Sequence, residues 1–329
     1  MYQPQTYAIA LSFMIISMLC WGSWANTIKL CPQYRFQLFY WDYVLGLILG
    51  TMVLGMTMGS LGQTGRPFLA DITASDGHHI GLAVIGGVIF NVANLLLVAA
   101  IDIAGLAVAF PVGIGLALVV GAVSNYILAP AGNPLLLFGG IALVVTAIVL
   151  DAAAYRLREA ERQKISFRGV VISLVAGLLM GCFYPFVSRA MSGDAAPGPY
   201  ATSFFFSLGV GACALIANSL LMRYPLDGKQ PVSITGYAQA QTAWHLLGIA
   251  GGLIWCAGAV LNFIASRANI VGPAVSYSIG QGATMISAAW GVFIWHEFSA
   301  APSRAKTLLA WMFAVFLCGL TAIAIAPLF

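Results

Sequence analysis

Long apolar runs without charges are the feature that most restricts how this chain can fold. A bilayer core about 30 Å thick is crossed by about 20 apolar residues of helix, and ten runs of about that length can be marked along the 329 residues. Continuous apolar runs exclude the alternation of a membrane barrel. The sequence therefore predicts an all-α integral membrane protein with ten transmembrane helices. The segments are 7–28, 37–58, 79–100, 103–128, 134–154, 169–190, 199–222, 243–265, 271–295 and 307–328.

Composition excludes several classes of function. Only 7% of the residues are charged, against roughly 25% in a soluble domain, so the solvent for most of the chain is lipid. The net charge of +4 is too small and scattered for nucleic-acid binding. The sequence has no nucleotide-binding motif, so we expect no cofactor and no use of ATP. It also lacks the clustered acids or the His-Glu-x-x-His pattern of an intramembrane enzyme.

Lysine and arginine are distributed unevenly between the two sets of loops. The loops after odd-numbered segments carry 11 of these residues and the loops after even-numbered segments carry 3. By the positive-inside rule the first set is cytoplasmic. We therefore predict a multi-pass protein of the cell (inner) membrane with both termini outside. The first segment follows no basic stretch, so it is expected to be a retained helix rather than a signal peptide.

The chain also carries a weak internal repeat. Residues 105–115 and 272–282 share the pattern Gly-x-Ala-Val-x-x-x-x-Gly-x-Gly, and the glycine pair 86–87 matches 251–252 at nearly the same offset. This predicts a first five-helix repeat over residues 1–155, a basic cytoplasmic linker over 156–168 and a second repeat over 169–329. Because five is odd, the second repeat enters the membrane from the opposite side, as in many secondary transporters that work by alternating access.

Several motifs resemble one transporter family. They are Asn94-Leu95, Gly105-Leu106 and Asn125-Tyr126-x-Leu128 in the first half, the run Arg156 to Lys164, and Trp290-Gly-Val292 leading to His296-Glu-Phe298. In these the chain resembles the drug/metabolite transporter superfamily. Within it, the similarity is to the branch of glucose/ribose porters, L-rhamnose–proton symporters and ureide permeases. The resemblance implies ten helices in two inverted halves and symport of a small, polar, mostly uncharged metabolite with protons or sodium.

Polar and aromatic side chains inside the segments are the candidate substrate contacts, because polar groups in hydrocarbon cost free energy and tend to be functional. Tyr277 and Gln281 share a helix face whose repeat counterparts, Phe110 and Ile114, are apolar. Tryptophans can stack on a ring, and amides offer paired donors and acceptors. Packing of the aromatics and helix–helix bonds between amides are the structural alternatives. The candidates are Trp21, Trp24, Asn26, Asn91, Asn94, Tyr184, Trp255, Tyr277 and Gln281.

Asp42 and Lys29 are the candidates for ion coupling. Asp42 lies about 8 Å inside the second segment, at the same end as Lys29. A Lys29–Asp42 bridge that breaks on protonation would suit proton coupling, and a static ion pair is the alternative. Asp151 and Glu297 lie towards the ends of segments, where solvated or capping roles are expected. His245 is expected at the membrane interface.

The substrate expected from these residues is a monosaccharide taken up with a proton or sodium ion. A ureide, nucleobase or nucleoside permease is the nearest alternative, since the same amides serve both kinds of substrate. Export of metabolites is a third possibility.

Overall fold

A computed structural model describes residues 1–158, 166–268 and 270–329, and within these ranges the chain is helical with no strand. Nine helices of the described residues are long and apolar enough to cross a membrane. The prediction of an all-α, multi-pass membrane protein is therefore confirmed. Most of the predicted linker, residues 159–165, lies outside the described residues.

The long helices agree with nine of the ten predicted segments to within a few residues. Short helices at Asn26–Lys29, Met58–Leu61, Phe68–Ala74 and Thr235–Ala238, and a final 3₁₀ turn at Ala326–Leu328, complete the structure. The long helices are α1 (Tyr7–Ser23), α2 (Phe36–Met56), α3 (Gly77–Ala104), α4 (Leu106–Leu128), α5 (Pro134–Arg158), α6 (Phe167–Ala190), α7 (Pro199–Arg223) and α8 (Thr242–Arg267), followed by the shorter α9 (Pro273–Gly280) and α10 (Ala283–Ala289) and the long α11 (Ser303–Ile325).

The predicted segment 271–295 is not one continuous helix, which corrects the expectation of ten unbroken spans. Helix α9 ends at Gly280, α10 begins at Ala283, and a π-helical turn follows over Trp290–Ile294. Glycine weakens a helix interior. Here Gly280 and Gly282 are also required by close packing, since a Cβ on Gly280 would lie 2.6 Å from the Trp21 ring. These glycines therefore interrupt the helix at the point where it packs against α1.

Hydrogen bonds and ion pairs show that successive spans run in opposite directions. Glu297, after the π turn, binds Lys29 after α1 and Arg158 at the end of α5, and Lys229 after α7 binds Asp102 near the end of α3. The connections that follow the first, third, fifth, seventh and ninth predicted segments therefore lie at the same end of the bundle. This end is called the basic end below. At the opposite end, Gly198 before α7 donates to Asp71 before α3. Which side of the membrane each end faces stays a prediction.

Two helix contacts of the first predicted repeat have counterparts in the second. Helix α3 packs on α6 as α8 packs on α1, and α3 packs on α7 as α8 packs on α2. The contact glycines follow the same rule, because Gly87 abuts the Phe206 carbonyl and Gly252 abuts the Tyr43 carbonyl. Gly105 and Gly272, which precede α4 and α9, have φ of 75° and 82°. These paired features support the predicted inverted repeat, which remains a proposal.

Gly87→Ala should destabilise the protein, because the new Cβ would overlap the Phe206 carbonyl of α7. Overpacking of this kind costs about 1–3 kcal/mol, which a lower midpoint of thermal unfolding in detergent would report. Gly81→Ala is the matched control on the same helix, since a Cβ there meets nothing within 4 Å. Equal midpoints for the two variants would contradict the close α3–α7 contact.

Candidate functional site

A cavity of about 430 Å³ lies between the two halves and extends from the basic end towards the middle of the bundle. Its volume is within the range of small-molecule sites, roughly 300–1,000 Å³. Helices α1, α3, α5, α6, α8 and α10 all contribute to its walls. The predicted residues among its lining are Trp21, Trp24, Asn26, Lys29, Asn94, Trp255 and Gln281.

Aromatic rings form the inner wall of the cavity. The Trp255 ring centroid lies 4.4 Å from that of Phe90 and 5.8 Å from that of Trp21, and Phe206 stacks on it at 6.0 Å. These neighbours hold Trp255 in one orientation. The Trp21 indole Nε1 is buried and has no hydrogen-bond partner among the described residues. That nitrogen lies against Gly258 of α8, so the indoles offer a bound ring their apolar ring atoms rather than a donor.

Two amides of the lining remain available to a ligand. The Asn94 Nδ2 donates to the Tyr40 hydroxyl at 3.3 Å, and that hydroxyl donates to the Asn91 Oδ1 at 2.8 Å. Asn91 is thus outside the lining but holds the tyrosine that orients Asn94. The side-chain amide of Gln281, at the break after α9, forms no hydrogen bond within the described ranges. Asn94 and Gln281 can therefore present both donors and acceptors to the cavity.

The Asn26 amide, although at the cavity, is already committed within the protein. Its Nδ2 donates to the Ser23 carbonyl at 2.9 Å and its Oδ1 accepts from the Trp295 indole at 2.6 Å. These bonds tie the turn after α1 to the residues after the π turn. Asn26 is thus held as a structural link between the first and second halves.

Tyr184 and Tyr277 are fully buried outside the cavity lining. The Tyr184 hydroxyl donates to the Asn262 Oδ1 at 2.5 Å, which joins α6 to α8. The Tyr277 hydroxyl lies 3.0 Å from the Ala117 carbonyl and 3.3 Å from the Met180 carbonyl, which joins α9 to α4 and α6. Both hydroxyls are therefore used in helix–helix packing, which was the structural alternative for these residues.

Asp42 is paired with His245 rather than with Lys29. The Asp42 carboxylate, 1% exposed, lies 2.9 Å from His245 Nδ1 and accepts hydrogen bonds from Tyr34 at 2.8 Å and Tyr237 at 2.6 Å. Burial and the bond to Asp42 raise the pKa of Tyr237 to about 12, so that it remains a donor at neutral pH. This cluster joins α2 to the start of α8 and lies outside the cavity lining.

Lys29 instead belongs to a clasp around Glu297 at the mouth of the cavity. The Glu297 carboxylate lies 2.6 Å from Lys29 Nζ and 2.9 Å from Arg158 Nη1, and accepts from the Tyr155 hydroxyl at 3.3 Å. Burial opposes ionisation of Glu297, but the hydrogen bonds and charges of Lys29 and Arg158 outweigh it and lower the pKa of this carboxyl below its usual value. Lys29, Tyr155, Arg158 and Glu297 are called the clasp below.

Some lining residues were missed or assigned another role from the sequence. Phe90 and Phe183 line the cavity beside Trp255, but phenylalanine in an apolar run gives no signal of its own. Asp151 also lines the cavity and is 3% exposed, where a residue at a helix end was expected to be solvated. An acid inside an apolar run was the signal available for it.

Asp42→Asn should lower stability, because it removes the charge that His245 and two tyrosines surround. A hydrogen bond to a charged group is worth about 1.5–3 kcal/mol, and the loss is measured as a lower midpoint of thermal unfolding. Tyr237→Phe, which removes one donor and leaves the charge, should cost less. A fully stable Asp42→Asn variant that loses proton-driven accumulation would contradict this structural role and support the coupling role expected from the sequence.

The chain is similar in sequence and in fold to known proteins. The family model described as "Sugar transport protein" matches residues 13–326. Ureide permease 1 and ureide permease 2 of Arabidopsis thaliana are 22% and 23% identical to the chain, each with 96% of both sequences covered. A solved crystal structure superposes with a TM-score of 0.59 at 14% identity, covering 94% of this chain and 95% of that one.

The family match extends over nearly the whole chain, and the named relatives are permeases that are covered over 96% of their length. With the multi-pass helical fold and the central cavity, these findings identify a membrane transporter of small metabolites. The chain belongs to the sugar transport protein family.

Proposed function

We propose that the protein is a secondary active transporter that imports a monosaccharide together with protons. The observation that carries the proposal is the cavity, where the rings of Trp21 and Trp255 lie with the free side-chain amide of Gln281 and with Asn94, whose amide is bonded only to Tyr40. An indole face suits the C–H face of a sugar ring, and amides can both donate to and accept from hydroxyl groups.

The two ends of the bundle support alternating access. The cavity reaches the basic end, whereas the opposite end is joined across the halves by Asp71, which accepts from Arg66 at 3.0 Å and from the Gly198 amide at 2.6 Å. Arg66 also donates to the Ala196 carbonyl at 3.2 Å. In a transporter built from inverted repeats, exchanging the conformations of the halves closes one end and opens the other. With the predicted orientation, the described state is open to the cytoplasm.

A ureide is the second candidate substrate, favoured by the names of the curated relatives, which are ureide permeases. A planar ureide ring could stack on the same indoles, and its N–H and C=O groups could pair with the Asn94 and Gln281 amides. The lining has many aromatic and few free polar groups, which suits either ring. The two candidates differ in ligand chemistry and are separated by experiment.

A thermal-shift screen of the purified protein tests the substrate class. The ligands are pentoses, hexoses and 6-deoxyhexoses in one set, and allantoin, nucleobases and nucleosides in the other. A ligand at 100 times its dissociation constant stabilises the folded state by about 2.7 kcal/mol. Stabilisation by a sugar supports the first proposal. Stabilisation only by nitrogenous rings replaces it with the second.

Gln281→Ala should weaken binding of the stabilising ligand by about tenfold, since one hydrogen bond is worth about 1 kcal/mol or somewhat more. The measurement is the dissociation constant by titration, with expression and unfolding midpoint recorded alongside. Gln239→Ala removes the same side chain from an exposed position outside the cavity and serves as the matched control. An unchanged affinity in Gln281→Ala would mean that α9 and the break after it are not part of the binding site.

A further inference from the structure

We propose that Asp151 is the proton-binding carboxylate of the transport cavity, an inference that rests on the proposed proton symport. Asp151 lies on α5, seven residues before the helix ends at Arg158, which places it about 10 Å inside that end. Its side chain lines the cavity and the residue is 3% exposed. Its carboxyl group can therefore bind a proton and contact a substrate in the same cavity.

The bonding of Asp151 differs from that of the other buried acids in the described ranges. Asp42 has His245 and two tyrosine hydroxyls, and Asp71 has Arg66 and the Gly198 amide. The Oδ1 of Asp151 is buried with no hydrogen-bond partner in the described residues, and no cation there lies within ion-pair distance. An ionised carboxylate removed from water without a partner is unfavourable.

In this environment the protonation state of Asp151 depends on whether water fills the cavity. When the cavity is closed and dry, the neutral acid is favoured because it carries no charge and can donate its O–H to a substrate oxygen. When water fills the cavity, the carboxylate is solvated and the proton leaves to water. One O–H bond forms on loading and breaks on release, so each neutral substrate crosses the membrane with one positive charge.

The charged groups that face Asp151 connect its protonation to the basic end of the cavity. Tyr155 is four residues further along the same helix, and through it and Arg158 the helix reaches Glu297 and Lys29. Helix α4, packed on α5, has no charged residue, and those of α11 are Arg304 and Lys306 at its start. Among the described residues, the cations at this mouth of the cavity are Lys29 and Arg158, and both are bound to Glu297.

An ionised Asp151 competes with Glu297 for these two cations. The competition loosens the clasp that joins the turn after α1, the end of α5 and the residues after the π turn. Protonation of Asp151 removes the competitor and lets the clasp hold. The clasp is thereby linked to the state of the proton site, which is the linkage that a symporter needs between ion binding and the movement of its halves.

Asp151→Asn tests the proposal in proteoliposomes, with D-glucose, D-ribose, L-rhamnose and allantoin as probe solutes. We expect the variant to retain exchange of solute in the absence of a gradient. Its accumulation of solute on an imposed pH gradient should be at least tenfold lower than that of the wild type. Asp194→Asn is the matched control, because Asp194 is an exposed acid in the connection between α6 and α7 and lies outside the cavity lining. Wild-type accumulation in Asp151→Asn would overturn the proposal.

A second measurement reads the proton site without any solute. Dicyclohexylcarbodiimide modifies protonated carboxyl groups in apolar surroundings, and the modified residue is identified by mass spectrometry of the full-length protein. We expect labelling of Asp151 that increases as the pH falls from about 8 to about 5 and is absent in Asp151→Asn. No labelling of Asp151 anywhere in this range would overturn the site.

The two measurements also separate failure of the site from failure of the proposed function. If the wild type exchanges a probe solute but never accumulates it on a pH gradient, proton symport fails although the carbodiimide result still decides whether Asp151 holds a proton. Asp151→Glu keeps the carboxyl group, so it tests the proposal if Asp151→Asn fails to fold. It should retain accumulation with a shifted pH profile, and loss of pH dependence in this folded variant would contradict the proposal.

Discussion

Hydrocarbon offers no hydrogen bonds, and the rest of this structure depends on that constraint. Each backbone group in the spans must be satisfied within a helix, so the described chain consists of helices and connections. The same constraint makes buried side chains informative, because a polar group without a partner is costly. Asp42, Tyr184 and Tyr277 are fully bonded and hold helices together. Gln281 and Asp151 keep unused bonding capacity at the cavity.

Close contacts between helices allow the two halves to form one cavity. Gly87 and Gly252 let α3 approach α7 and α8 approach α2 at backbone distance, as small residues do in membrane bundles. The ends differ in their bonding: Asp71 closes one end across the halves, and the clasp around Glu297 lies at the mouth of the other. In the proposed cycle these two sets of bonds break and form in turn, while the aromatic wall around Trp255 keeps its packing.

The sequence predicted the spans well because hydrophobic length alone determines them. Segment 37–58, for example, is observed as Phe36–Met56. The break at Gly280–Gly282 was not foreseen, since it depends on the approach of α1. The partner of Asp42 also escaped prediction, because His245 lies 203 positions away and only the packing of α2 on α8 brings them together. Asp151 was visible as an acid in an apolar run, but its missing partner is a property of the fold.

The aromatic and amide cavity, open at the basic end, is the proposed transport site. Ser287 is an exposed residue of α10 that lines it, and Ser192 is exposed at the opposite end. The decisive measurement is the reaction of Ser287→Cys and Ser192→Cys with a membrane-impermeant thiosulfonate applied to either face, relative to the wild type. If the cavity is the transport site, Ser287→Cys reacts faster from the face of the basic loops than from the other face and is protected by the transported solute, whereas Ser192→Cys reacts from the other face. Reaction of Ser287→Cys unaffected by solute, or only from the face that labels Ser192→Cys, would contradict the proposal.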